Sequence, residues 1–85
     1  MVNDDMLKLW ILEAVECQSD LPGYVEIAKY IWLNYEEQLR VSGNKFYTWQ
    51  ADLRWLCTRL VKEDKLVRLK DGNRSVYSVY HSVGP

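Results

Sequence analysis

Leu66-Val67-Arg68-Leu69-Lys70-Asp71-Gly72-Asn73-Arg74-Ser75-Val76-Tyr77-Ser78-Val79-Tyr80 is the stretch on which the fold turns. Side chains alternate between the two faces of a strand, so a period of two sorts these residues into sides. Leu66, Arg68 and Lys70 with Ser75, Tyr77 and Val79 fall on one side of a hairpin, and Val67, Leu69, Val76, Ser78 and Tyr80 on the other. Asp71-Gly72-Asn73 separates the two runs, and these residue types tolerate the positive φ of a tight turn. The expectation is a two-stranded hairpin closing a chain that is otherwise helical.

Upstream of Lys65 the apolar residues recur at three and four positions instead. A first helix is predicted from about Asp4 to Gln18, with Asn3 as N-cap and Asp4 and Asp5 at the positive end of the helix dipole. Its core stripe is Met6, Leu7, Trp10, Ile11, Ala14 and Val15. Leu9 and Leu12 fall outside the stripe, so they pack on another element or form a subunit contact. Ser19 to Gly23 turns the chain, and a second helix follows from Tyr24 to about Leu39, its inner side carrying Tyr24, Ile27, Ala28, Ile31, Trp32, Tyr35 and Leu39. Val41 to Phe46 holds Ser42, Gly43 and Asn44, a strong break. The third helix is expected from about Thr48, as N-cap, to Asp64, with Trp49, Leu53, Leu56, Cys57 and Leu60 on one face. Three helices followed by a hairpin, with a turn between the second and third helices, is the order of an α+β winged helix, a helix-turn-helix variant. The chain reads as one domain over 1–81 with a flexible tail over 82–85.

Charge is divided along the same line. Residues 1–39 carry eight acids against two lysines, whereas residues 40–74 carry nine bases against four acids. The overall charge of −1 therefore hides a dipolar chain whose basic half is the third helix plus the hairpin. In a winged helix those two elements lie against duplex DNA, so charge and topology agree. The candidate contacts are Lys45, Thr48, Arg54, Thr58, Arg59 and Lys62 on or beside the helix, and Arg68, Lys70 and Arg74 on the wing. Arg54 offers a planar fork of donors to guanine or phosphate, and Thr48 and Thr58 offer hydroxyls to phosphate or methyls to thymine. Arg59 and Lys62 suit backbone charge, and the wing cations suit phosphate or the minor groove. The ordinary reading of each is a solvated surface cation, and Arg59 with Glu63 has the spacing of a helical ion pair. Asp52 opposes DNA unless it accepts from a cytosine amine or only caps the helix. Trp55 is the odd member of the outer face: an indole needs a partner, which is the rest of the chain, another protein or a base.

Other classes of function find little support. Cys17 and Cys57 stand forty positions apart and His81 is the one histidine, which excludes a CxxC-based zinc site and offers no Cys/His catalytic pair. Both thiols sit in apolar patterns and are expected to be buried and free. A Gly-rich phosphate loop, a nucleophile elbow and paired carboxylates with an evident pocket are all missing, so neither enzyme, cofactor nor small-molecule ligand is expected. Acids stand where a secretory signal has bases, and no apolar run approaches the length of a membrane span, so the expected location is the cytoplasm, without a membrane.

Ser42-Gly43, Tyr47, Leu53-Arg54-Trp55-Leu56, Leu60 and Leu66-Val67 together resemble the winged-helix N-terminal domain of Mrr-type restriction endonucleases. That domain has a Ser-Gly turn, a tyrosine and an Ile-x-Trp-Ala segment before a leucine-rich helix end. The match runs from Leu39 to Val67 with one-residue insertions on each side of Leu53. The resemblance implies DNA binding through the third helix and wing, and it implies a buried Trp55. Asp52 departs from the pattern, standing near where the family tends to carry a basic residue, and nuclease activity does not carry over. The functional expectation is a small duplex-DNA-binding protein, a regulator or accessory factor. The alternative is a winged helix used for protein–protein contact, as a homodimer or with a larger partner, through Leu9, Leu12, Leu33 and Trp55.

Overall fold

In a computed structural model, which describes residues 2–18 and 21–79, the chain forms α1 (Asp4–Cys17), α2 (Tyr24–Arg40), α3 (Lys45–Lys62), β1 (Leu66–Asp71) and β2 (Arg74–Val79). This is the winged-helix arrangement, three helices and then an antiparallel hairpin. Tyr80, His81 and the expected tail over 82–85 lie outside the described residues.

Local chemistry explains where each helix begins and ends. Asn3 caps α1 as expected, its side-chain oxygen accepting from the Met6 amide at 2.9 Å. At α2, Glu26 reaches back to accept from the Gly23 amide at 2.9 Å, which satisfies a donor left over at the helix start. The second break is shorter than expected: Val41 to Asn44 suffices, because Gly43 takes φ +65° and Ser42, buried, donates its hydroxyl to the Leu39 carbonyl at 2.6 Å. Consequently α3 starts at Lys45, with Asn44 in the cap position, and takes in Phe46; Thr48 is not its N-cap. At its other end the Lys65 amide donates to Leu60 and the Asp64 amide to Val61, the two bonds of a Schellman motif. Asp64 occupies the left-handed position there, at φ +60°.

Helices α1, α2 and α3 enclose one core. Leu7, Ile11, Ile27, Ile31, Leu39, Leu53, Leu56, Leu60 and Leu66 are all buried, and every residue expected on the inner face of α3 is among the buried set. The α1–α2 seam is also polar. Tyr35 stacks on Trp10 with ring centroids 4.0 Å apart, and its hydroxyl donates to Glu13 at 2.6 Å, while Tyr30 donates to the same oxygen at 2.9 Å. Tyr35 holds non-helical dihedrals, so α2 bends where this stack forms. Across the α2–α3 seam, Trp32 lies parallel to Trp49 at 6.3 Å.

The hairpin forms where the alternation placed it, and the structure supplies its register. Leu66 pairs with Val79, Arg68 with Tyr77 and Lys70 with Ser75, and the turn is Gly72-Asn73, with Gly72 at φ +64°. Leu66, Val76 and Tyr77 are buried, which anchors the wing to the helices. A further contact was not evident from the residue pattern: Gly23 forms an isolated bridge with Val76, and Tyr77 donates its amide to the Pro22 carbonyl at 2.9 Å. A Cβ at Gly23 would stand 2.6 Å from Arg74 Nη2, the movable end of a side chain, and 3.2 Å from the Ser75 carbonyl oxygen, so a larger residue there would displace Arg74 and press on β2.

The thiols differ from expectation. Cys57 is buried, and burial raises its thiol to about 12, but Cys17, at the exposed end of α1, is exposed. The Asp64 backbone yields a direct test of the α3 stop. A left-handed residue with a side chain costs about 1–2 kcal/mol, and glycine returns about 0.5–1 kcal/mol of that as chain entropy. Asp64→Gly is therefore expected to stabilise the fold by up to about 1 kcal/mol in urea denaturation; a destabilised variant would contradict this account of the helix end.

Candidate nucleic-acid interface

The inner stripe of α3 fixes what its outer side presents. At about 100° per residue, burying Trp49, Leu53, Leu56, Cys57 and Leu60 turns Ala51, Arg54, Thr58 and Lys62 outward, with Trp55 on one flank. Arg54, Arg59 and Lys62 are exposed and Thr58 is half-buried.

On the flank facing the wing, aromatic rings and arginines interlock. The Arg54 guanidinium lies 5.0 Å from the Tyr24 ring centre, and Tyr24 donates its hydroxyl to the Gln50 carbonyl, tying the start of α2 to α3. Burial raises the Tyr24 phenol, with the Arg54 charge opposing it. Arg68, reaching from β1, donates to Thr58 Oγ1 at 3.0 Å and sits 5.7 Å from the Tyr77 ring. A cleft of about 640 Å³ opens between the start of α2, α3 and the wing, lined by Tyr24, Glu26, Arg54, Arg68, Arg74 and Tyr77.

Long-range ion pairs cancel part of the charge that the chain separates. Lys45 lies between Asp4 and Asp52, bonded to both, with Asp52 at 2.7 Å. Arg74 pairs with Glu26, and Lys8 with Glu63 at 3.1 Å. Lys45 and Arg74 are thus committed within the protein. Arg59 is shared between Glu63, at 3.6 Å, and the Trp55 ring, at 5.8 Å. Arg54, Lys62, Arg68 and Lys70 make no ion pair among the described residues. The two threonine hydroxyls are also engaged: Thr48 donates to Asp52 at 3.1 Å and Thr58 to the Arg54 carbonyl at 3.4 Å.

Asp52 is the hub of the α1-facing flank. It accepts from Lys45, Thr48 and the Trp55 indole, the last at 3.4 Å. Burial alone would raise its carboxyl, but the Lys45 and Thr48 hydrogen bonds and the Lys45 charge outweigh burial and hold it below the ordinary carboxylate range. Lys45 is likewise lowered by burial and raised further by its two carboxylates, ending above an ordinary lysine. Asp52 is therefore neither a bare negative charge on the outer face nor free for a cytosine amine.

Trp55 is 43 % exposed, which overturns the burial implied by the Mrr-type resemblance. Among the other apolar candidates, Leu9 and Leu33 stand in solvent, at 65 % and 81 % exposure, while Leu12 is partly buried against the core. No helix among the described residues is long and apolar enough to cross a membrane. Neither a protein-family model, a curated protein nor a solved structure matches the chain.

The Lys45–Asp52 pair makes stability depend on pH at both ends. A depressed carboxylate stabilises the fold above its unfolded pKa, near 4, and that contribution is lost as pH falls through the folded value. A raised lysine stabilises below its unfolded pKa, near 10, and its share is lost as pH rises through the folded value. Melting temperature should therefore drop below about pH 4. Asp52→Asn should melt lower than the parent at neutral pH and lose less on acidification, the remaining loss coming from Glu26 and Glu63, which are also held low by hydrogen bonds. Parallel acid limbs for the two proteins would exclude this role for Asp52.

Proposed function

We propose that the chain is a small duplex-DNA-binding winged-helix protein, a regulator or accessory factor, which lays α3 along the major groove and the β1–β2 wing beside it. One observation carries this reading: of the six cations without an ion pair among the described residues, Arg54, Lys62, Arg68 and Lys70 lie on α3 and β1 and Lys65 lies between those elements, with Lys29 on α2 the sole exception. Asp52 is held by Lys45, Glu26 by Arg74 and Glu63 by Lys8, so three carboxylates beside this face carry a counter-charge, while Asp64 and Asp71, at the end of α3 and at the hairpin turn, make no ion pair among the described residues. Arg54 and Arg68 are also stiffened by contacts with Tyr24, Thr58 and Tyr77, which lowers the entropy lost when a guanidinium grips a phosphate.

A second reading has its own support. Leu33 and Leu9 are exposed large apolar residues on the acidic helices, and the isoelectric point is about 5.7, so a protein-interaction module without DNA is the competing function. The two readings separate in one titration. DNA binding driven by counterion release falls steeply with salt, and each phosphate contact adds about one to the slope of log affinity against log salt. Fluorescence anisotropy with a mixed-sequence duplex should show affinity falling at least tenfold between about 50 and 200 mM salt. Arg54→Ala with Arg68→Ala should reduce the slope by about two. No binding at the lower salt, with a light-scattering mass above that of one chain, is the result the second reading requires.

A further inference from the structure

Trp55 is an exposed indole whose polar valence is already filled. Its Nε1–H, the single donor of a tryptophan side chain, points to Asp52 at 3.4 Å, and Asp52 is fixed in turn by Lys45 and Thr48. One face of the ring carries the Arg59 guanidinium at 5.8 Å, and Arg59 is steadied by Glu63. The hydrogen-bonding edge and one face are thus occupied, and the indole remains 43 % exposed. What it offers to a partner is apolar surface, held in one orientation.

Its surroundings add a charge to that surface. Trp55, Thr58, Arg59 and Lys62 recur at helical spacing and, with Glu63, whose carboxylate is paired with Lys8 and Arg59, line an open groove of about 640 Å³. Lys62, two turns beyond Trp55, makes no ion pair among the described residues. Across the helix, Arg54 lies about 100° from Trp55, with Ala51, Thr58 and Lys62 between them. A helix seated in a groove on this face would put Arg54 toward one wall and Trp55 toward the other.

In the major groove every base edge presents hydrogen-bonding groups, and the 5-methyl of thymine is the apolar feature. A side chain with no donor left gains nothing from the polar groups but gains from the methyl. We propose that Trp55 is a specificity-determining residue that packs against thymine 5-methyl groups in the major groove, with Asp52 as the positioning residue that fixes its orientation. This rests on the duplex-DNA reading and adds to it a preference for thymine over cytosine or uracil on the α1-facing side of the helix.

The test removes one methyl group at a time. A duplex enriched from a randomised pool by the full-length protein is prepared in two forms, with thymine and with deoxyuridine in its place, and both are titrated by anisotropy. The wild type should lose about fourfold in affinity for each contacted methyl, the worth of one buried methyl group. Trp55→Ala, with native circular dichroism, should bind both forms with the same affinity, whereas Arg54→Ala should weaken both forms equally and keep the thymine preference. Equal binding of the two forms by the wild type, a preference that survives in Trp55→Ala, or an enriched site without thymine would overturn the proposal and leave the DNA-binding reading intact. Failure to retain any duplex would overturn both.

Discussion

Burial of Trp49, Leu53, Leu56, Cys57 and Leu60 sets the rotation of α3, and the remaining features of the surface follow from that rotation. A helix has one angular degree of freedom about its own axis, and large apolar side chains buried along its length allow one setting of it. Turning α3 by a third of a turn would carry Arg54 toward the core and expose leucines, at a cost of about 1.5–3 kcal/mol for each exposed leucine and more for a buried, unpaired guanidinium. The outer face is therefore as strongly specified as the inner one, although few of its own contacts hold it. The wing is placed by the same core, through Leu66, Val76 and Tyr77, and by the approach of β2 to Pro22 and Gly23.

Folding also edits the charge pattern. Three pairs, Lys45 with Asp4, Arg74 with Glu26 and Lys8 with Glu63, join the acidic part of the chain to the basic part. They take Lys45 and Arg74 out of the set of free cations and neutralise acids beside the outer face of α3. What remains is more local than the division along the chain: Arg54, Lys62, Lys65, Arg68 and Lys70 on α3, β1 and the link between them, with Lys29 apart on α2. Ion pairs this open to solvent contribute little to stability. Their larger effect is on the field that an approaching polyanion meets.

The fold was legible because its signals are local. The period-two run around Gly72 predicted the hairpin and the sides of its strands, and the spacing of Trp49, Leu53, Leu56, Cys57 and Leu60 predicted the buried face. The α3 start was missed because a Ser-Gly turn closed by the Ser42 hydroxyl needs fewer residues than its composition suggests, leaving Lys45 and Phe46 to the helix. Cys17 was misjudged, and the exposure of Trp55 was not decided by its residue pattern, for a different reason: each sits at the margin of an apolar stripe, where exposure depends on how close the neighbouring element comes. Pairs such as Arg74 with Glu26, separated by 48 positions, have no signature in a linear reading. The concentration of bases on α3 and the hairpin was thus legible, but which cations are committed elsewhere, and which polar edge of Trp55 is filled, depend on contacts that only the folded chain supplies.

The central claim is that the face formed by α3 and the hairpin meets duplex DNA while the acidic α1–α2 side faces away. Backbone amide chemical-shift mapping by NMR, with a duplex added to the full chain, tests this most directly. The account predicts shifts concentrated in Ala51–Lys62 and Arg68–Arg74, with the amides of Leu9, Glu16 and Leu33 unmoved. Shifts centred on Leu9 and Leu33, or a spectrum unchanged by the duplex, would contradict it.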